Sequence, residues 1–506
     1  MRRWIGGWAC SLAPLIDISK GDVPSLADRK TIIMERDCDV IIVGGGGAGL
    51  AAAIMATEAG ADVMIIEADT KLGGATMLAG GVFYAAGTSV QRARGIEDTA
   101  DALYEYLMNV NQWEMSPELI RIYADECGPS LEWLIEHGAT FPPDWLTCSG
   151  CESVPRGHAS DGAGATVAAT LYNAAGALDI STALNTRVEG FLVEDGRVVG
   201  VHAGGTEVRA PSVVVTTGGF GNNLDLVKKW WPTVGVHGDR VWAVHRDAPF
   251  ILGDGLLMGE AIGAEIVGYD HGLILPHSGF VKEHESELPP WVMLVNKQGR
   301  RFMDERAPYS VSGNLLNQQP DQVAWAIFDE EALTIGGNDK RYVDPYNIGW
   351  IRSSWGEEDI RDRTARGLIK SADSVEQLAT MIGVDPEAVG ITIERYNRDA
   401  DQGVDTAFRK VADRTFPVRK PPFYAIEVRA TLIGLTSTGL NIDGECRVLD
   451  RRGAPIGGLY AAGEVLGCVQ GYTYGGGGMS IGAAVVYGRR AGIHAAEHAR
   501  VPEHAA

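Results

Sequence analysis

The chain predicts an α/β fold, with a Rossmann-like dinucleotide-binding domain that is discontinuous in sequence and carries an inserted α+β capping domain. Three observations predict it. The apolar strand Val40-Ile41-Ile42-Val43 runs into Gly44-x-Gly46-x-x-Gly49. The next apolar run, Val63 to Ile66, closes on the carboxylate of Glu67. A second glycine-rich block, Gly458 to Gly478, returns near the far end, so two distant parts of the chain build one nucleotide site.

Each element follows from local chemistry. Glycines 44, 46 and 49 let backbone approach a pyrophosphate, and the small-residue run Leu50 to Ala56 predicts a helix whose N-terminus faces that anion. Glu67 stands at the spacing of a carboxylate that accepts from a ribose, and it favours a bare 2′-hydroxyl over a 2′-phosphate. Residues Gly73 to Gly81 offer another stretch of small side chains. Thr99 to Asn109 and Pro117 to His137 have the apolar spacing of amphipathic helices, and Trp113 between them reads as a core residue. Asp179 to Val201 reads as short strands around the turn Glu194-Asp195-Gly196-Arg197. The buried strand Val213-Val214-Val215 ends in Thr216-Thr217-Gly218-Gly219, a further point of backbone approach.

From about residue 276 the pattern changes to Pro, His and Trp with charged helices at Glu357 to Leu368 and Val375 to Ile382. Glycine-rich character returns near 435, with a strand expected at Leu440-Asn441-Ile442. The expected organisation is an extension at 1–33, a nucleotide domain from 34–275 and 435–506, and a substrate domain at 276–434.

At 506 residues the chain exceeds the ~250–300 at which single cores stop growing. A net charge of −22 without Lys/Arg runs excludes nucleic-acid backbones and anionic membrane surfaces as partners, and favours a neutral or apolar small molecule. The seven cysteines are scattered, and Cys148-Ser-Gly-Cys151 is their one close pair. Without a second pair or nearby histidines it reads as two unrelated thiols, and no metal is expected. This cysteine usage suggests a reducing, cytoplasmic compartment. Arg2-Arg3 and the apolar stretch Trp4 to Ile16 are interrupted by Gly and Pro and are too short to span a bilayer, so no stable membrane insertion is expected.

The motifs Val-Gly-Gly-Gly-Gly-Ala-Gly-Leu at 43–50, Gly-Gly-Ala-Thr at 73–76, Thr-Gly-Gly-Phe at 217–220, Gly-Asp-Gly at 253–255, Leu-Val-Asn-Lys-Gln-Gly-Arg-Arg-Phe at 294–302 and Gly-Leu-Tyr-Ala-Ala-Gly-Glu at 458–464 occur in order. Together they resemble the FAD-dependent flavoproteins that include soluble fumarate reductases and 3-ketosteroid dehydrogenases, over nearly the whole chain from Asp37 to Ala496. The resemblance implies FAD, with phosphate-side contacts from Gly44, Gly46, Gly47, Ala48 and Gly49 and adenosine contacts at Glu67, Ala68 and Val188. It further implies contacts from Gly73, Gly74, Ala75, Thr76, Gly80 and Gly81, then from Thr217, Gly218, Gly219 and Asp254. Gly463 and Glu464 are implied near the ribityl chain, and Ser480 and Ile481 near the flavin pyrimidine edge. Some relatives attach flavin through a histidine near the Gly-Gly-Ala-Thr segment. None stands there in this sequence, so the FAD is expected to be non-covalent.

Three positions speak to the branch. Soluble fumarate reductases grip a dicarboxylate with an arginine after the Asn-Lys-Gln-Gly-Arg-Arg-Phe-like motif, an arginine in the final glycine loop and a histidine before the last strand. This chain has Tyr309 at the first, no arginine in Gly471 to Ser480, and no histidine in Leu432 to Ser437. Arg306 serves a dicarboxylate only if the alignment slips by three residues. The tyrosines resemble the 3-ketosteroid dehydrogenases, in which a phenol and a backbone N–H hold the ketone, as Tyr474 and Gly478 would, and a second tyrosine, matched by Tyr309, abstracts the proton. Gly477 departs from the proline common in the Δ1 enzymes, and the loop is equally similar to the Δ4 enzymes. Tyr472 reads as packing, and His277 lies where fumarate reductases place a substrate histidine.

The expected reaction is desaturation α,β to the ketone of a 3-ketosteroid or related cyclic ketone, with proton loss to Tyr309 and hydride transfer to flavin N5. The electron acceptor is unidentified. A reductase running the reverse reaction on an enone or enoate, and a flavin-binding protein without turnover, are the alternatives.

Overall fold

The computed structural model describes residues 36–278, 288–339 and 355–500. The extension expected at 1–33 lies outside them.

Val40–Val43, four fully buried β-branched residues, is central in a six-stranded sheet. Its order is Arg447–Leu449, Pro455–Ala461, Ser212–Val215, Val40–Val43, Val63–Ile66, Ile180–Ala183. All pairs are parallel except the edge strand Arg447–Leu449. Such strands are apolar throughout because helices cover both faces. The pairing of Ser212–Val215 with both Val40–Val43 and Pro455–Ala461 joins the two parts of the nucleotide domain.

Helix packing draws them closer. Gly47–Glu58 lies along the C-terminal helix Met479–Arg500. Gly488 and Gly492, one turn apart, face the Ala48 and Ala52 carbonyls so closely that a Cβ at either would overlap backbone. Gly492→Val is therefore expected to push the helices apart. The cost is about 1–3 kcal/mol, read as a lower melting temperature and a lower flavin-to-protein absorbance ratio.

A second sheet is built around the long strand Phe423–Thr436. Ala324–Asp329 and Met293–Asn296 extend it on one side, Gly272–His277 and Lys370–Ala372 pair antiparallel with it, and Trp242–Ala243 pairs parallel. This sheet thus reaches back to residue 242. One face carries a core of Met293, Val295, Ile327, Leu378, Val389, Tyr396 and Phe423. The inserted segment also buries a charged cluster, in which Arg301 bonds Glu305 and Asp405, and Lys410 lies 3.1 Å from Glu305.

The helices expected from periodicity are Ala100–Val110, Pro117–Glu136, Glu357–Ala365 and Val375–Met381. The strand expected at 440–442 is shorter. Gly439–Leu440 pairs with Ile266–Val267, and Ile442 makes a single bridge to Val448.

Trp113 corrects the sequence reading. It is 56% exposed. The chain enters the left-handed region at Gln112 and Trp113 (φ 53° and 62°), which turns the indole outward between two helices. There it meets the Tyr104 ring edge at 6.2 Å and donates to Asn109. Among the described residues no helix is long and apolar enough to cross a membrane.

Candidate active site

The glycine turn lies at the carboxyl ends of the parallel strands, where open α/β sheets bind ligands. Gly44 has φ +101°, a conformation that disfavours any Cβ, and the Thr216 carbonyl oxygen would stand 2.7 Å from one. Gly46 caps the first helix without a side-chain acceptor, leaving first-turn N–H groups of Gly47, Ala48 and Gly49 for an anion. Gly73 donates to the Gly45 carbonyl at 2.9 Å, so Gly73, Gly74, Ala75 and Thr76 lie beside the turn. Gly80 has nothing within 4 Å of a built Cβ, and the Gly81 carbonyl accepts from Ser160 at 3.1 Å.

The acid of the second strand is in place. Glu67 is 8% exposed and accepts from Gly45 N–H at 2.6 Å and Asp69 N–H at 2.8 Å. A carboxylate has about four lone-pair sites, so capacity remains for ribose hydroxyls. Ala68 follows it, and Val188 begins the strand just after Thr186, whose N–H donates to the Glu67 carbonyl at 2.9 Å. Thr217 accepts from Gly255 N–H at 3.2 Å, the Gly219 carbonyl accepts from Gly253 at 3.0 Å, and Asp254 pairs with Arg187. Gly218 has φ +74°. At the other end Gly463 meets Ala48, and one oxygen of Glu464 takes Thr436 N–H at 2.9 Å and Thr436 Oγ1 at 3.1 Å. Desolvation raises the Glu464 pKa. An uncapped helix N-terminus, a buried carboxylate and bare glycine backbone in one row fit an extended dinucleotide.

Tyr309, Tyr474 and Gly478 come together although 165 positions separate the first two. Tyr309 opens the helix Tyr309–Asn317, and Tyr474 precedes Met479–Arg500. Their ring centroids are 6.1 Å apart at 49°, and both are buried. The Tyr474 oxygen sits at the start of the C-terminal helix and accepts from Ser480 N–H at 3.1 Å. Ser480 Oγ lies 3.2 Å from it as well. Burial pushes the Tyr474 pKa up and those donors offset it only in part, so it stays a neutral O–H donor near neutral pH. Gly478, at φ +102°, fits its carbonyl against Tyr84 N–H at 3.3 Å.

The sequence reading missed the wall behind this loop. Ser149 accepts from Gly477 N–H at 2.6 Å. Tyr106 donates to the Gly475 carbonyl at 2.6 Å and accepts from Cys151 N–H at 3.0 Å. Glu152 accepts from Ser149 N–H at 2.8 Å, and Asn111 from Thr473 N–H at 2.8 Å. The available signal was the small Ser149-Gly150 pair between Cys148 and Cys151. Both cysteines are exposed.

Other candidates stand apart. His277 packs edge-on against Trp242 and lines a separate cavity of about 280 Å³ with Arg240, Trp325 and Arg429. Arg306 folds back onto Asp304 at 2.7 Å. Tyr472 packs edge-on against His271 at 5.8 Å.

A buried histidine beside the loop gives a pH prediction. His158, on Gly157–Ala159, donates from Nδ1 to the Arg156 carbonyl at 2.7 Å and accepts at Nε2 from Thr88 Oγ1 at 2.8 Å. Desolvation lowers its pKa to about 4. The unfolded chain then binds more protons, so this group's stabilisation is full above pH ~6.5 and falls by about 3 kcal/mol as the pH drops toward 4. Urea titrations of wild type and His158→Gln at pH 7 and pH 4.5 are expected to converge at the lower pH.

The parallel sheet, the glycine turn and the phenol pair define a nucleotide-dependent oxidoreductase class. The family model described as "FAD binding domain" matches residues 39–481, and the chain belongs to that family. It is 33% identical to the "Probable fumarate reductase Ifc3" of Shewanella frigidimarina (strain NCIMB 400), across 91% of this chain and 75% of that protein. With a digoxin reductase of Eggerthella lenta it shares 31% identity, covering 93% of this chain and 89% of the relative. A crystal structure of 3-ketosteroid-Δ4-(5α)-dehydrogenase from Rhodococcus jostii RHA1, in complex with 4-androstene-3,17-dione, superposes with a TM-score of 0.75 at 29% identity, covering 92% and 99% of the two chains. The protein is an FAD-dependent oxidoreductase of the fumarate reductase and steroid dehydrogenase family.

Proposed function

We propose that the protein desaturates the carbon pair α,β to the ketone of a 3-ketosteroid or related cyclic ketone. The observation that carries this reading is the buried Tyr309–Tyr474 pair, with one phenol held at a helix N-terminus, where a dicarboxylate enzyme needs cationic groups. The likeness to the Rhodococcus dehydrogenase across nearly both chains supports it.

On this reading the ketone oxygen takes hydrogen bonds from the Tyr474 hydroxyl and the Gly478 N–H. The Ser480 N–H that Tyr474 accepts polarises its O–H, which strengthens it as a donor to developing enolate charge. Tyr309 takes the α proton and orients its ring against Tyr474. FAD, when bound, accepts the hydride from the β carbon. The Gly47–Gly49 turn, Glu67 and Glu464 would hold it, and Met479–Arg500 would present Ser480 and Ile481 to its ring edge.

The second reading is a reductase acting on an enone or enoate. The names of the Shewanella and Eggerthella relatives favour it. Anaerobic mixing separates the two. Bleaching of the flavin by a saturated or 4-ene 3-ketosteroid, with recovery of the more unsaturated product, supports the dehydrogenase. Absence of bleaching, with reoxidation of chemically reduced enzyme by an enone or fumarate, supports the reductase.

A further inference from the structure

We propose that Ser149 is a positioning residue for Tyr309, its hydroxyl donating to the Tyr309 phenolate oxygen across the bare face of Gly477. This rests on the reading of Tyr309 as the base and adds a group that stabilises its ionised form. The geometry converges from two chain segments. A Cβ built on Gly477 would lie 2.6 Å from Ser149 Oγ and 3.2 Å from the Tyr309 hydroxyl oxygen, so both hydroxyls border the small space that this glycine leaves open. Ser149 Oγ already accepts the Gly477 N–H at 2.6 Å. Its own hydrogen is therefore directed away from that backbone, and the bond it accepts makes it a better donor. The serine is fixed by more than one contact. Its N–H donates to Glu152 at 2.8 Å, and Tyr106 ties the same loop to the Gly475 carbonyl at 2.6 Å.

Glycine at 477 becomes intelligible on this account. Proline there would remove the N–H that orients Ser149, and its ring would fill the space between the two hydroxyls. Among the described residues, the other titratable or charged groups around this point are Tyr474, Tyr84, Tyr106, Glu152, Arg156, Cys148 and Cys151. All stay constant across the variants below, so a difference between variants reports Ser149.

The test reads Tyr309 ionisation in the FAD-loaded protein by carbon-13 NMR of tyrosine labelled at the ζ carbon, the resonance being assigned by its loss in Tyr309→Phe. Ser149→Ala is expected to move the Tyr309 midpoint upward by about one pH unit or more, the scale of one hydrogen bond to a charged oxygen. Ser149→Thr, which keeps the hydroxyl, is expected to restore it. Equal midpoints in wild type and Ser149→Ala would overturn the proposal, as would equal upward shifts in the Ala and Thr variants, which a merely structural role produces. Flavin reduction by a saturated 3-ketosteroid, followed in parallel, keeps the two readings apart. If wild type is not reduced, the dehydrogenase reading fails, while the Ser149–Tyr309 coupling still stands or falls on the NMR midpoint.

Discussion

Tyr309→Phe is expected to keep FAD bound and to slow flavin reduction by a 3-ketosteroid by roughly 10²–10⁴-fold, the range of a lost general base. Phenylalanine preserves the ring that faces Tyr474 at 6.1 Å and removes only the oxygen. The residue opens a helix of the inserted segment, off the parallel sheet, so flavin content should not change. The sign of the pH effect is fixed. A phenol with a reference pKa of ~10 must ionise to act, so the wild-type rate should rise with pH through the Tyr309 midpoint and the variant rate should not. Stopped-flow reduction across pH 6–10 checks this, and normal reduction in the variant would remove Tyr309 from the site.

The second large effect is expected at the neighbouring phenol. Tyr474→Phe removes one of two donors to the ketone oxygen, which typically costs about 3 kcal/mol, or 10²–10³ in kcat. It also leaves Ser480 N–H without its 3.1 Å acceptor. Loss of such a cap costs a further ~0.5–2 kcal/mol of helix stability. KM should rise as well, since the ground-state ketone uses the same bond. Because burial keeps Tyr474 protonated, the deficit should be the same size across the neutral range. A deficit that vanishes above pH 8 would mean that Tyr474 titrates and that its role has been misassigned.

What the sequence disclosed follows from physics that is local in sequence. The strand Val40–Val43, the glycine turn and Glu67 form one continuous unit whose spacing carries its geometry, so the nucleotide half was readable. Tyr309 and Tyr474 are singled out only by resemblance, since nothing near either residue announces a partner 165 positions away. Ser149, Tyr106 and Glu152 escaped because their role lies in bonds to residues 475 and 477, a long-range contact that leaves no periodic trace. Trp113 misled for the opposite reason. Its size argued for burial, but two consecutive left-handed residues decided its direction. The participation of Trp242 and Ala243 in the second sheet was not legible, because a two-residue parallel strand is too short to show a pattern.

The seating of Gly488 and Gly492 against Ala48 and Ala52 bears on how the molecule comes to exist in the cell. During ribosomal synthesis the turn at 44–49 emerges hundreds of residues before the helix that must lie along it. Until that helix arrives, the side of Gly47–Glu58 that it covers stays open, although Ala163–Gly176 and the first strands already pack against the rest. Pairings of such high sequence separation also slow folding. A nucleotide site shared between the two ends of the chain is therefore expected to be complete only after synthesis ends, so FAD capture should be absent from chains truncated before Pro455.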